Sequence, residues 1–204
     1  MRKREHWEKV WETHPPTDVS WYAPHLAESL RLIREVAAPS AGIIDVGGGA
    51  STLVDDLIGA GFTRVTVLDI SESALSIARA RLGAHAAAIT WLHADITSVT
   101  LPDAAYDVWH DRAVFHFLTE QGDRDAYVAA LERSLKPGGW VVIGTFGLQG
   151  PPRCSGLDVV RYDASGIQRA LGSHFSLSAS CEQTHVTPDG KPQHFTICRL
   201  QRVA

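Results

Sequence analysis

Three acids and a run of glycines carry much of the chemical content of this chain. Asp45 sits in the apolar run Ile43-Ile44-Asp45-Val46, which breaks into Gly47-Gly48-Gly49 and then Ala50-Ser51-Thr52. A second run, Val65-Thr66-Val67-Leu68, ends on Asp69, 20 residues after Gly49, and a third is followed by Asp95-Ile96. Glycine lets backbone approach a ligand where any Cβ would clash. An acid that closes the next strand can accept hydrogen bonds from ribose hydroxyls, as in dinucleotide sites. The chemistry so marked is the binding of a nucleotide-like cofactor.

Three forms of that site compete. A P-loop needs lysine and then serine or threonine after its glycines, and no lysine precedes Ser51-Thr52. A dinucleotide fold needs G-x-G-x-x-G. Gly47 and Gly49 fit, but Thr52 stands at the third position, where glycine lets the helix pack tightly under a pyrophosphate. The plain alternative is a tight strand–helix turn, with Asp69 capping the next helix and Asp95 serving a turn.

A second group of reactive residues lies further along. His110-Asp111-Arg112 and His116 follow one apolar run, and Phe146, Cys154 and Arg161 follow the next. Asp111 suits a polar contact to cofactor or substrate, or an ion pair with Arg112. His110 or His116 offers a general base, and His116 equally suits a satisfied helix-face histidine. Phe146 and Cys154 fall where substrate would lie, although Cys154 also reads as a small buried hydrophobe. Arg161 suits an anionic substrate or a bond to loop backbone. His110-Asp111 with His116 lacks the H-x-D spacing of a metal triad, so no metal is expected.

The elements that must position these residues alternate. Strands are expected at Ile43–Val46, Val65–Asp69, Ile89–His93, Tyr106–His110 and Trp140–Thr145. Helices are expected over Ser51–Gly59, from an N-cap at Ser71 to Gly83, and over Arg124–Leu135, the last stopped by Lys136-Pro137-Gly138-Gly139. Such spacing implies right-handed crossovers and a parallel sheet with helices on both faces. Ser176–Thr187 and His194–Leu200, joined through Pro188-Asp189-Gly190, predict an antiparallel hairpin at the edge. Ligands of open α/β sheets bind beyond the carboxyl ends of the strands. About forty residues precede the sheet, with Trp7, Trp11, Trp21, Tyr22 and a helix near Pro24–Val36, and they could fold over that mouth as a lid.

Taken together, the glycine loop, Asp69, Asp95-Ile96, Lys136-Pro137-Gly138-Gly139 and the reversed hairpin resemble the class I S-adenosylmethionine-dependent methyltransferases over about residues 40–200. The resemblance implies an α/β, Rossmann-like seven-stranded sheet, mostly parallel with a reversed C-terminal hairpin. It implies S-adenosylmethionine as cofactor, with Asp45, Gly47 and Gly49 along its methionine and ribose part. Asp69 would take the ribose hydroxyls, Ile70 the adenine face, Asp95 and Ile96 the adenine edge, and Trp11 and Asp111 further contacts. The cofactor has no phosphate, which agrees with Thr52 at the third glycine position. His6-Trp7-Glu8-Lys9-Val10-Trp11, Asp111-Arg112-Ala113 and Gly150-Pro151-Pro152 are similar to the thiopurine and thiol/halide methyltransferase group. Asp111-Arg112-Ala113 is similar also to the Asp-Lys-Gly turn of protein-lysine methyltransferases. Ala113 departs from the usual glycine, and Cys154-Ser155-Gly156 matches neither group.

Bulk properties bound the rest. The 204 residues suit one domain, with residues 1–40 as aromatic lid and helix and residues 41–204 as cofactor-binding sheet. The formal net charge is −4, and Arg2-Lys3-Arg4 is the one short basic tract, so no nucleic-acid partner is expected. Three cysteines without a C-x-x-C pair, and no signal-like or long apolar run, predict a reduced, cytoplasmic chain with no membrane partner. The expected activity is methyl transfer to a small-molecule substrate, a thiol or sulfide first, in a water-poor cavity. Trp21, Tyr22, Arg112, Phe146, Cys154 and Arg161 are the expected substrate contacts. Protein-lysine methylation, an NAD(P)-dependent oxidoreductase and a non-catalytic scaffold are the alternatives.

Overall fold

The structure, a computed structural model, describes residues 3–203. Arg2 of the basic tract lies outside the described residues.

Ile43, Ile44 and Val46 give β1 (Gly42–Val46) the β-branched character of a central strand, and all five of its residues are buried. Around it a seven-stranded sheet runs in the order β3-β2-β1-β4-β5-β9-β8. Strands β2 (Arg64–Asp69), β3 (Thr90–His93), β4 (Tyr106–Arg112) and β5 (Leu135–Phe146) extend the parallel part. β8 (Phe175–Val186) and β9 (Pro192–Arg202) form the antiparallel hairpin, and β9 pairs with β5 in reverse. The expected fold class is thus the observed one. Its register brings the two chemical groups together, because Asp45 lies directly across from His110 and Val46 from Asp111.

Apolar residues cover both faces. On one, Ile44, Trp109, Ile143 and Leu200 pack under α5 (Gln121–Ser134) and α6 (Ala164–Leu171). On the other, Ile43, Val67, Val108 and Val142 meet Leu32 and Ile33 of α2 (Ala27–Arg34), Leu53 and Leu57 of α3 (Leu53–Gly59) and Leu75 of α4 (Glu72–Leu82). Ser71 caps α4 as expected, its Oγ accepting from the Ala74 N–H at 3.1 Å, and Gly83 ends the helix with φ +56°. Such a cap contributes about 1 kcal/mol.

Other boundaries move. α3 begins two residues later than expected because Ser51 and Thr52 complete the glycine turn. β5 begins at Leu135, which pairs with Tyr106 before the register shifts, so the glycine-rich stop belongs to an irregular strand start. α1 (Lys3–Thr13), α6 and the small hairpin of β6 (Arg153–Cys154) with β7 (Leu157–Asp158) were not anticipated. α1 has no buried residue, so it lacks the apolar periodicity by which helices are read. The Trp7–Trp11 spacing puts both rings on one face and was its one signal.

Candidate functional site

The carboxyl ends of β1, β2 and β4 open into a cavity. Asp45 and Asp69, at the ends of neighbouring strands, form its floor. The glycine turn makes room for them. A Cβ at Gly49 would stand 2.5 Å from Asp69 Oδ2, and one at Gly47 only 2.0 Å from Val114 Cγ2, with φ +66° besides. Packing inside the protein thus requires glycine at both positions, in addition to the expected approach of a ligand.

Asp45 is nearly fully buried. Its Oδ1 lies 2.7 Å from His110 Nδ1, and His110 Nε2 lies 2.9 Å from Ser29 Oγ on α2. Its Oδ2 is buried without any partner, a costly state for a carboxylate oxygen. Asp69 accepts from the Ser71 N–H at 2.8 Å. Burial pushes its pKa up to about 7, and the charges of Asp45 and Glu8 add to that. Both floor acids are thus short of donors and suited to a ligand that brings hydroxyl or ammonium groups.

Glu8 of α1 reaches the start of α4, where it accepts from the Ser71 hydroxyl at 2.9 Å, the Glu72 N–H at 2.7 Å and the Ser73 N–H at 3.1 Å. Burial raises the Glu8 pKa, yet these hydrogen bonds hold it below the usual carboxylate range. Its charge also opposes the dipole at that helix end. At the first residue of α1, Lys3 pairs with Asp123 in the first turn of α5. The helix bridges the cavity between two anchors.

An apolar slot lies beside the acids. Ile70, Ala94, Ile96 and Leu118 line it, with Asp95 at its edge. Asp95 Oδ1 also closes a turn, accepting from the Thr97 N–H at 2.9 Å and the Thr97 hydroxyl at 2.7 Å. Trp7, Trp11, Trp21 and Tyr22 roof the cavity. Ring centroids are 5.7 Å apart for Trp11–Trp21, 5.8 Å for Trp7–Trp21 and 5.0 Å for Trp7–Phe117, all edge-to-face.

Arg112 and Cys154 also face this cavity. The Arg112 guanidinium donates to the Trp21 carbonyl at 3.1 Å and lies 4.6 Å from the centroid of the Phe195 ring. No carboxylate pairs with it among the described residues. Burial pushes its pKa down to about 10, so it remains a cation at neutral pH. The Cys154 thiol is pushed up to about 11 by burial and stays protonated.

Four expected roles are corrected by the geometry. Asp111 faces away from the cavity and accepts from the Val114 N–H at 2.9 Å, the Phe115 N–H at 3.1 Å and the Tyr127 hydroxyl at 2.8 Å. It organises the turn after β4 and makes no ion pair with Arg112. His110 borders the cavity, but Asp45 and Ser29 occupy both its nitrogens, which leaves none for a base. His116 is fully buried outside the cavity. Its Nδ1 accepts from the Phe146 N–H at 3.2 Å, and burial pushes its pKa down to about 3. Phe146 is buried against His116 and Phe195 and does not line the cavity. Arg161 makes the expected bond to loop backbone, donating to the carbonyls of Leu148 and Gly150 at 3.0 and 3.1 Å, and it lines a separate groove rather than the cavity.

Glu8, Ser29, Phe117 and Leu118 were missed. Glu8 and Ser29 act across more than sixty residues of sequence, and no local pattern announces such partners. Among the described residues no group of side chains could hold a metal ion, and no helix is long and apolar enough to cross a membrane.

The pKa of Asp69 has a consequence that can be measured. A carboxylate whose folded pKa lies near 7 contributes stability below its unfolded value, and that contribution is lost as pH rises toward 7. Hydroxyl donors bind the ionised form. The rise in Tm produced by a saturating nucleoside ligand should therefore grow between pH 6 and pH 8 and stay flat in Asp69→Asn.

Residues 43–139 match the family described as "Methyltransferase domain". The eEF1A lysine and N-terminal methyltransferase of Mus musculus is 26% identical over 141 residues, 66% of this chain and 20% of that protein. The ubiquinone biosynthesis O-methyltransferase of Thiobacillus denitrificans is 33% identical over 114 residues, 54% of this chain and 47% of that protein. The chain thus spans less than half the length of these two relatives. A protein solved in work on the conversion of a disulfide bond into a thioacetal group during echinomycin biosynthesis superposes with TM-score 0.79. That alignment covers 98% of this chain and 93% of the other at 20% identity, so it speaks to the fold.

Proposed function

We propose that this chain, whose residues 43–139 match the methyltransferase-domain family, is a class I S-adenosylmethionine-dependent methyltransferase that methylates a small-molecule thiol or sulfide. One observation carries the proposal: the cavity holds a guanidinium with no carboxylate partner, aromatic walls and a histidine whose two nitrogens are both engaged, while its floor acids are those that suit the cofactor.

The floor and slot fit the cofactor. Unpartnered Asp45 Oδ2 suits its ammonium group, Asp69 suits its ribose hydroxyls, and Ile70 and Ile96 suit the adenine ring. Asp95 stands where the adenine edge would lie, and Trp11 covers the cofactor from α1. When bound, the cofactor supplies an electrophilic methyl group on a sulfonium sulfur.

The protein's own residues do the rest. Trp7, Trp11, Trp21 and Tyr22 exclude water from the reacting centre, where charge interactions strengthen. Arg112 holds the acceptor as its anion. A thiol ionises near pH ~8.5 unaided, and a neighbouring guanidinium lowers that value, so no protein base is required. An amine or alcohol would need a proton acceptor, and His110 has no nitrogen free to be one. The ubiquinone relative supports a small acceptor. The mouse relative supports the second reading, methylation of a protein lysine.

Assays over hydrogen sulfide, methanethiol, larger thiols and small amines, read as S-adenosylhomocysteine release, test the proposal. Turnover is expected on thiols, and silence on every thiol would refute it. Arg112→Met should lower kcat/KM for thiols roughly 10- to 150-fold, the value of a charge-assisted hydrogen bond, while leaving S-adenosylhomocysteine affinity nearly unchanged. Equal thiol activity in wild type and Arg112→Met would remove Arg112 from the acceptor site.

A further inference from the structure

A groove outside the cofactor cavity collects three arginines, Arg124, Arg161 and Arg169, in a chain whose formal net charge is −4. None of the three pairs with a carboxylate among the described residues; each is tethered instead to a neutral oxygen. Arg124 Nη1 donates to the carbonyls of Leu118 and Thr119 at 2.7 and 2.8 Å, and its Nη2 to Gln121 Oε1 at 2.8 Å. Arg161 Nη1 is held by two carbonyls of the loop after β5, and Arg169 Nη1 by the Ser165 hydroxyl at 2.9 Å. The one acid of the groove, Asp163, is engaged in capping α6, where it accepts from the Gly166 N–H at 2.6 Å and the Ser165 hydroxyl at 3.0 Å. These tethers orient the guanidinium forks and leave N–H groups over for a ligand.

We propose that this groove is a phosphate-binding subsite, which takes the phosphate of an acceptor whose nucleophile lies in the cavity. Planar guanidinium forks match the paired oxygens of phosphate, and three of them supply the charge that a dianion needs. The groove adjoins the cavity on two strands of chain. Leu118 lines the cavity while Thr119 lines the groove. Arg161 grips the Gly150 carbonyl on the same loop that delivers Cys154 to the cavity. The proposal rests on the thiol reading only for the position of the acceptor's reacting end.

Pantetheine and 4′-phosphopantetheine, thiols that differ by a single phosphate, make the test. Their binding to the full chain saturated with S-adenosylhomocysteine is measured by calorimetry. The phosphorylated form should bind about tenfold or more tightly, and the gap should close in Arg169→Glu and in Arg161→Gln and narrow with added salt. Inorganic pyrophosphate should compete for the same site. Equal affinity for the two thiols, or a phosphate preference that both variants retain, would overturn the subsite. Methyl transfer to the two thiols is read separately. If the phosphate preference holds but neither thiol is methylated, the subsite stands, and the thiol reading is decided by the wider panel of thiols.

Discussion

Asp69→Ala should weaken S-adenosylhomocysteine binding by roughly two to four orders of magnitude. A carboxylate that accepts both ribose hydroxyls makes two charge-assisted bonds worth about 1.5–3 kcal/mol each, and alanine removes both. The free protein should not suffer in proportion. Asp69 is buried beside Asp45 and Glu8, and its charge is already opposed there, so the unliganded variant should melt near or above the wild-type temperature at pH 8. Calorimetric titration together with thermal melting separates the two effects. Tight binding retained by Asp69→Ala would detach the second strand from the cofactor.

Asp111→Ala should produce the opposite pair of results. Its carboxylate, fully buried, accepts from Val114, Phe115 and Tyr127, and Tyr127 in turn accepts from Trp109 Nε1 at 2.8 Å. Deleting it strands buried donors, which costs about 3–5 kcal/mol by analogy with broken buried ionic networks. For a domain of this size that lowers Tm by roughly 6–20 °C. Below the melting range, affinity for S-adenosylhomocysteine should change far less than in Asp69→Ala. An Asp111→Ala variant of normal stability but no turnover would restore Asp111 to the chemistry.

This contrast shows what could be read from the amino-acid order. Period-two and period-3.6 patterns are local, so the seven strands of the main sheet, its reversed hairpin included, and most of the core helices were legible in the amino-acid order. Asp45 and Asp69 were legible because each closes a buried strand beside the glycine turn, and strand ends are where an open sheet binds its ligands. The direction of a side chain past the strand end was not legible. Asp111 and Arg112 are adjacent, yet Arg112 faces the cavity and Asp111 the opposite layer of the core. Sequence order alone could not say which of the two would meet substrate. His110 looked like a base at a strand end, and its exclusion depends on Ser29, 81 residues away. α1 was missed because it packs by two tryptophans and one carboxylate rather than by an apolar stripe.

The central claim is transfer of the cofactor's methyl group to a small sulfur nucleophile. The most direct measurement incubates the protein with S-adenosylmethionine labelled in the methyl group, a mixture of small thiols and a protein lysate, and then separates products by mass. Label should appear in low-mass methyl thioethers, depend on the added thiols and fall sharply in Arg112→Met. Label confined to protein lysines, with none in the thiol fraction, would contradict the claim.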